Sequence, residues 1–289
     1  MNNIGKKLAA VALTLSAYVA PASAGKGGSA GLVQAAINSG SQDAIIAEVE
    51  KTESLMCEDC VQMITNLTED SRYEVREVAA WWFAKRPGLM SMLAQSMATD
   101  LASGSSVKVR NAADFLGATL QFGALPKMTA AISTGVTSDA KLAIVRAVRF
   151  MAHPDGNAAL LAGMRDADPV VRAASVSAWR EILGQTTATA VEPSLADGSA
   201  KVRAEAASAV GALGDAAARP VLEQLVVGDA DATVRRNAAW ALGKIGSAQS
   251  RTALLAATHD KSGLVNGVAK AALTLLKYCL LYTSDAADE

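Results

Sequence analysis

The segment DADATVRRNAAWALGKIG occupies residues 229–246 and has the pattern of an amphipathic helix. Its apolar residues step by four, four and three, which places them on one helical face. The acidic residues before Val234 are N-cap candidates, and Gly246 is a C-terminal stop signal. The apolar positions are Val234, Ala238, Leu242 and Ile245.

The same pattern recurs along the chain, and its Val-Arg pair serves as the anchor. Five copies contain a complete Val-Arg pair, and their arginines are Arg76, Arg110, Arg172, Arg203 and Arg235. Two degenerate copies place Ala143 and Asn266 at the arginine position. The spacings between anchors are 34, 33, 29, 31, 32 and 31 residues. A helical pattern repeated at about this period is typical of an α-solenoid, in which each helix pair buries its apolar face against its neighbours.

The D-x-x-V-R-x-x-A-A-x-A-L-G pattern of residues 231–243 resembles the HEAT repeat in its short bacterial "PBS-lyase HEAT-like" form. The resemblance spans about residues 43–277 and is sharpest over 166–246. It implies an all-α fold, a solenoid of about seven antiparallel helix pairs over residues 32–278. Such folds usually serve as binding scaffolds, so the resemblance predicts fold better than activity.

The N-terminus has the three parts of a secretory signal peptide, residues 1–24. Lys6 and Lys7 give the positive region, residues 8–19 the apolar core, and cleavage is expected after Ala24. A membrane anchor is the alternative, but the apolar run is too short to span a bilayer. We therefore expect a periplasmic or secreted protein without membrane insertion, followed by a flexible leader over residues 25–31.

The last segment, residues 279–289, resembles the translation of an adapter used in sequencing libraries. We expect it to be a non-native tail rather than part of the fold. The alternative is a short native tail after the last helix.

With both ends removed, residues 25–278 carry 25 basic and 25 acidic residues, so the net charge is zero. This balance gives no electrostatic basis for binding nucleic acid or an acidic membrane. The two histidines, His153 and His259, lack metal-ligand spacing, and no catalytic triad is marked. We expect no metal and no cofactor.

The two closely spaced cysteines, Cys57 and Cys60, are expected to form a structural disulfide in an oxidising compartment. Thiol–disulfide exchange is the alternative. It is disfavoured because Glu58 and Asp59 raise a thiol pKa.

The five anchor arginines have two interpretations. The favoured one is a structural ladder, in which each arginine ties its turn to a neighbour through a carboxylate such as Asp168 or Asp231. The alternative is a series of anion-binding sites.

Second helices of solenoids line the concave surface, where partners usually bind. Residues one and five positions after each anchor lie far from the apolar stripe. Packing between neighbouring second helices is the favoured role for the aromatic ones, and a one-residue shift in register would turn Phe115 inward. The candidate partner-binding residues are Glu77, Trp81, Asn111, Phe115, Arg236 and Trp240.

These observations predict an exported, non-catalytic, monomeric scaffold that binds a protein partner along its concave face. One alternative is an enzyme of the HEAT-like tetrapyrrole lyase or isomerase type, or an oxidoreductase. HEAT-like iron hydroxylases use His-Glu pairs, and no His-Glu dipeptide occurs in this sequence. Another alternative is a thiol redox partner acting through Cys57 and Cys60.

Overall fold

The computed structural model describes residues 28–54 and 57–285, with side chains described up to Lys277. The predicted signal peptide and its cleavage site lie outside these residues. The chain divides into two compact units, Met1–Cys60 and Val61–Glu289. Within the described ranges the regular structure is entirely helical, and the fold is an α-solenoid.

The first unit holds α1 (Ala30–Ser39) and α2 (Gln42–Lys51), which pack together. Helix α1 begins two residues earlier than predicted, because the Ser29 hydroxyl accepts a hydrogen bond from the Leu32 N–H and caps the helix there. Gly28 is buried beside Thr52, where an added Cβ would lie 2.8 Å from the threonine methyl group. The predicted leader therefore ends inside the folded part of this unit.

Helix α3 (Glu58–Leu67) crosses the boundary between the units, and the remaining helices belong to the second. They are α4 (Tyr73–Ala84), α5 (Pro87–Asp100), α6 (Ser106–Ala118), α7 (Leu125–Ile132), α8 (Ser138–Met151), α9 (Asn157–Gly163), α10 (Pro169–Trp179), α11 (Ala200–Leu213), α12 (Arg219–Gly228), α13 (Ala232–Ile245), α14 (Arg251–Ala257) and α15 (Gly263–Asp285).

Seven helices carry the predicted anchors, and we call them the second helices. Successive second helices pack against each other along the whole series from α4 to α15, as a solenoid requires. Six of them follow a first helix of the same pair. The exception is α11, whose partner is only a short 3₁₀ helix, Glu192–Ala196. The second helices are α4, α6, α8, α10, α11, α13 and α15.

Glycines allow some second helices to approach each other closely. A Cβ on Gly117 would lie 2.6 Å from the Ala147 Cβ, and one on Gly211 would lie 2.6 Å from the Ala241 Cα. Gly243 meets Ala272 in the same way. These contacts fix the register between neighbouring helices, because no larger residue fits without moving a backbone.

Helix α15 continues to Asp285, which lies inside the segment predicted to be outside the fold. The sequence continues the helix because residues 263–285 contain no proline, and their two glycines, Gly263 and Gly267, both lie within the first five residues.

Candidate functional site

The helix starts and the glycine contacts define one common register for all seven second helices. We call the fourth residue of each second helix its ladder position. Two sequence-based anchors were wrong: in α6 the ladder position is Val109 rather than Arg110, and in α8 it is Lys141 rather than Ala143. The corrected spacings are 33, 32, 31, 31, 32 and 31 residues, more regular than the predicted series. The ladder positions are Arg76, Val109, Lys141, Arg172, Arg203, Arg235 and Asn266.

Arg172 shows how a ladder arginine holds two turns together. Its Nε and Nη2 donate to the Asp197 carboxylate at 2.8 and 2.9 Å. Its Nη1 donates to the carbonyl oxygens of Asp166 and Ala167, in the turn before its own helix. Arg203 and Arg235 repeat this arrangement in the next two repeats. The structure thus commits these guanidinium groups to contacts within the solenoid.

The carboxylates of the ladder come from a different position than predicted. Asp168 and Asp231 cap their own helices by accepting hydrogen bonds from the N–H groups of Val170 and Thr233. The ladder carboxylates are those six residues before the next ladder position. They are Asp197, Asp229 and Asp260.

The ladder arginines lower the pKa of these carboxyl groups, because each donates hydrogen bonds to the ionised form. Each carboxylate also accepts a backbone N–H two residues later, as Asp229 does from Asp231 at 2.8 Å. The ionised aspartates therefore contribute to stability at neutral pH.

Three ladder positions lack arginine, and each makes a different arrangement. Lys141 replaces arginine in α8 and pairs with Asp166 at 2.6 Å. Val109 carries no charge, and the corresponding position in the following turn is Gly135. Asn266 donates instead to the carbonyl oxygen of Thr258.

Arg76 uses a different partner, because Ser103 occupies the position where the next ladder carboxylate would lie. Its Nη2 pairs with Asp114 at 2.6 Å, and both side chains are buried. The other carboxylate oxygen of Asp114 accepts a hydrogen bond from Arg146 Nη2, also at 2.6 Å. One buried carboxylate therefore joins three successive second helices, α4, α6 and α8.

The common register also defines the surface that the second helices present together. Residues one, five and nine positions after each ladder position lie on one side of their helix. We call this surface the second-helix face, and three of its positions, Asp114, Ala173 and Ala204, are buried between neighbouring side chains. Its residues are Glu77, Trp81 and Lys85 on α4; Arg110, Asp114 and Ala118 on α6; Leu142, Arg146 and Phe150 on α8; Ala173, Ser177 and Glu181 at α10; Ala204, Ser208 and Ala212 on α11; Arg236, Trp240 and Lys244 on α13; and Gly267, Ala271 and Leu275 on α15.

Four of the six predicted partner-binding residues lie on this face. Glu77 and Trp240 are exposed, whereas Trp81 and Arg236 are partly buried. The Trp81 and Trp240 rings each have a lysine ammonium near them, Lys85 Nζ at 5.5 Å and Lys244 Nζ at 5.8 Å from the ring centroid.

The predictions for Asn111 and Phe115 were wrong, because both side chains are buried. The shift of one residue in α6 turns Phe115 into the core, where it contacts the Phe83 ring edge-to-face at 5.8 Å between centroids. The same shift moves Arg110 out of the ladder and onto the second-helix face. There it contacts only the exposed Asp139 at 3.3 Å and its neighbour Asn111.

The sequence analysis missed Phe150, which is half exposed on the second-helix face. It borders a small cleft whose other walls include Tyr73, Glu77 and Arg146. The guanidinium of Arg146 lies 4.2 Å from the centroid of the Tyr73 ring. Burial, followed by the nearby Glu77 carboxylate, raises the pKa of Tyr73 to about 12, so the phenol is neutral at physiological pH.

Comparison with known proteins agrees with this repeat geometry. Residues 188–274 match the family model for HEAT repeats, the part of the chain where the Arg–Asp ladder is most regular. The chain thus contains HEAT repeats. No functionally curated protein matches it by sequence.

Solved structures support the fold of this HEAT-repeat protein. The Escherichia coli protein YibA is 14% identical, with a TM-score of 0.55, and the match covers 85% of this chain and 91% of YibA. Human deoxyhypusine hydroxylase is 19% identical with a TM-score of 0.38, covering 86% and 95% of the two chains. A designed armadillo repeat protein in complex with the peptide (KR)4 is 19% identical with a TM-score of 0.31, covering 86% and 98%. The last two scores are too low to support any argument about function.

The cysteine pair of this HEAT-repeat protein lies at the start of α3. The Cα atoms of Cys57 and Cys60 are 5.1 Å apart, which suits the predicted disulfide. Cys60 is fully buried, whereas Cys57 is partly exposed. The oxidation state of the pair stays a prediction.

Two further points, on membrane-spanning helices and on metal sites, concern the part of the chain that the structure describes. No helix there is both long and apolar enough to cross a membrane. Among the same residues, no group of three or more histidine, cysteine or acidic side chains is arranged to hold a metal ion.

Proposed function

We propose that this HEAT-repeat protein is an exported, non-catalytic scaffold that binds a protein partner along its second-helix face. The observation that carries the proposal is the matched pair of tryptophans on the first and the sixth of the seven second helices, α4 and α13. Trp81 and Trp240 occupy the same position in their repeats, and each is followed by a lysine four residues later. Tryptophan is the residue type most enriched in interaction hot spots.

The surface between the two tryptophans supports an extended partner. Two of its central positions carry small side chains, Ser177 on α10 and Ser208 on α11, and Arg180 Nη1 donates to the Ser208 hydroxyl at 2.7 Å. Beside these small residues a polypeptide has more room than beside the tryptophans. Solenoids generally use such continuous concave surfaces for binding.

The Arg–Asp ladder supports a structural rather than an anion-binding role for its arginines. Arg172, Arg203 and Arg235 each make hydrogen bonds through three of their nitrogens. An anion would have to displace an aspartate whose hydrogen bonds also hold the adjacent turn.

Site-specific photo-crosslinking tests the binding face. A photoreactive amino acid replaces Ser208, and the matched control replaces the exposed Thr252 on the first helix α14. After exposure to the envelope fraction of the source organism, we expect a discrete adduct from position 208 that is lost when Trp240→Ala is added. Equal adducts from both positions, or adducts insensitive to Trp240→Ala, would reject the proposed face.

The proposed export has its own test. Expression of the full chain in a bacterial host followed by intact-mass analysis should give a periplasmic protein whose first residue is Gly25. A thiol titration of that product should find Cys57 and Cys60 unreactive until reductant is added. A full-length cytoplasmic product in which Cys57 and Cys60 react without reductant, giving three free thiols together with Cys279, would contradict both proposals.

A further inference from the structure

The C-terminal end of the second-helix face combines an exposed aromatic ring with unopposed positive charge. The row on α13 consists of Arg236, Trp240 and Lys244, and the Trp240 side chain is partly exposed. The rows on either side are small or apolar. They are Ala204, Ser208 and Ala212 on α11, and Gly267, Ala271 and Leu275 on α15.

Among the described residues no acidic side chain forms an ion pair with this row, and Glu205, beside Ala204 on the neighbouring helix α11, is the acidic residue of that helix. Residues 232–245 and 263–277, which form α13 and the described side chains of α15, contain no aspartate or glutamate. The nearby Asp231 is committed to capping α13, where it accepts from two backbone N–H groups. Among the described residues Lys244 has no carboxylate within ion-pair distance, so its charge is available to a partner.

The side chains of this row are held in place before any partner arrives. The Arg236 Nε and Nη2 donate to Asn237 Oδ1, and the Asn237 amide donates to the carbonyl oxygen of Ala204 on α11. The Trp240 ring packs over Gly211, where an added Cβ would lie only 2.8 Å from the ring. Preorganised anchors lose little conformational entropy on binding, which favours affinity.

We propose that the row Arg236–Trp240–Lys244 binds a segment of a partner protein in which carboxylates lie on both sides of an aromatic or aliphatic side chain. This inference rests on the proposed function and specifies the chemistry of the partner. Arg236 and Lys244 lie four residues before and after Trp240, about one helical turn to each side, and the Lys244 Nζ is 5.8 Å from the centroid of the indole ring. An apolar side chain packs on the exposed indole, and the flanking carboxylates meet Arg236 and Lys244.

The equivalent row on α4 differs in the charge of one residue. The two tryptophan rows therefore favour different partner segments. There the sequence is Glu77, Trp81 and Lys85, so an acid replaces Arg236. A partner segment with two carboxylates around its apolar residue is therefore matched at α13 and opposed on one side at α4.

The test uses two fluorescent peptides that share an apolar centre and differ only in their flanks, glutamates in one and lysines in the other. With the whole folded protein, fluorescence anisotropy should show the glutamate-flanked peptide binding at least about tenfold more tightly. Lys244→Glu should reduce or reverse this preference, and Trp240→Ala should weaken both peptides. The control Arg251→Glu makes the same charge change on the exposed surface of α14 and should leave the preference intact.

Equal binding of the two peptides, or an equal effect of Lys244→Glu and Arg251→Glu, would overturn the inference. A protein that ignores both peptides but binds vesicles containing anionic lipid through Lys244 would also overturn it, in favour of a lipid surface. These failures are distinct from failure of the proposed function. If the adduct at position 208 forms and depends on Trp240 while the peptides show no charge preference, the scaffold stands and the acidic partner is rejected.

Discussion

Lys141 donates from Nζ to Asp166 Oδ2 at 2.6 Å, and this contact takes the place of an arginine–aspartate pair in the ladder. Because the neighbouring ladder residue Arg172 bonds to the backbone of Asp166 from the other side, one aspartate links two repeats. The contact shows that α8 is in register with the other second helices even though its sequence has no Val-Arg pair. The second-helix face follows from this register.

The ladder pairs should contribute far more to stability than exposed pairs of the same chemistry. The Asp229 side chain is only 4% exposed, and its carboxylate accepts hydrogen bonds from the Arg203 guanidinium and from the backbone N–H of Asp231. Replacing it leaves a partly buried arginine unpaired, so we expect Asp229→Ala to lower the free energy of unfolding by about 3 kcal/mol. The control Asp139→Ala removes a carboxylate that is 68% exposed from its pair with Arg110 and should cost less than about 1 kcal/mol. Urea denaturation measures the loss in free energy of unfolding for both variants. Comparable losses would mean that the Arg110–Asp139 pair stabilises the solenoid as much as a ladder pair does.

Acid should weaken the solenoid through the same aspartates. The pKa values of Asp197, Asp229 and Asp260 lie below the ordinary value because the ladder arginines donate hydrogen bonds to their ionised forms. In the unfolded chain these groups titrate near about pH 3.9, so their stabilisation is complete above that pH and is lost as the pH falls through the lower folded values.

Urea denaturation at pH 7, 4 and 3 checks this dependence, and the midpoint should fall on acidification. Asp229→Asn cannot ionise, so its midpoint should depend less steeply on pH than that of the unchanged protein. A midpoint that rises below pH 4, or an identical slope in the variant, would show that these carboxylates do not govern acid stability.

The contact between α6 and α8 should reject any side chain at Gly117. A Cβ there would lie 2.8 Å from the Ala147 Cα, which is backbone and cannot rotate away. We expect Gly117→Val to lower the free energy of unfolding by about 1–3 kcal/mol. Gly88 in α5 has no atom within 4 Å of an added Cβ, so Gly88→Ala should be neutral or stabilising by up to about 1 kcal/mol. Thermal unfolding of the two variants measures the contrast, and equal shifts would mean that the helices do not pack this closely.

The sequence predicts the solenoid well, because the apolar stripe survives in every repeat. It predicts the register less well, because the Val-Arg pair is a two-residue signal that can shift. In α6 the pair Val109-Arg110 lies one residue late, and in α8 the ladder residue is Lys141, which the Val-Arg pattern does not include. Aligning RNAA at 110–113 with RNAA at 236–239 would have given the correct position in α6. The use of Asp114 by both Arg76 and Arg146 depends on contacts between helices, which no local pattern contains.

The burial of Phe115 and the exposure of Phe150 both depend on the register of their helices, and they give the sharpest test of it. Phe115 is buried against Phe83, so Phe115→Ala should lower the free energy of unfolding by about 3–5 kcal/mol. Phe150 is half exposed beside the cleft, so Phe150→Ala should cost less than about 1.5 kcal/mol. If the second-helix face binds the partner, Phe150→Ala should nevertheless weaken crosslinking or peptide binding in folded protein. Large destabilisation by Phe150→Ala together with a mild effect of Phe115→Ala would restore the sequence-based register and remove the basis for the face described above.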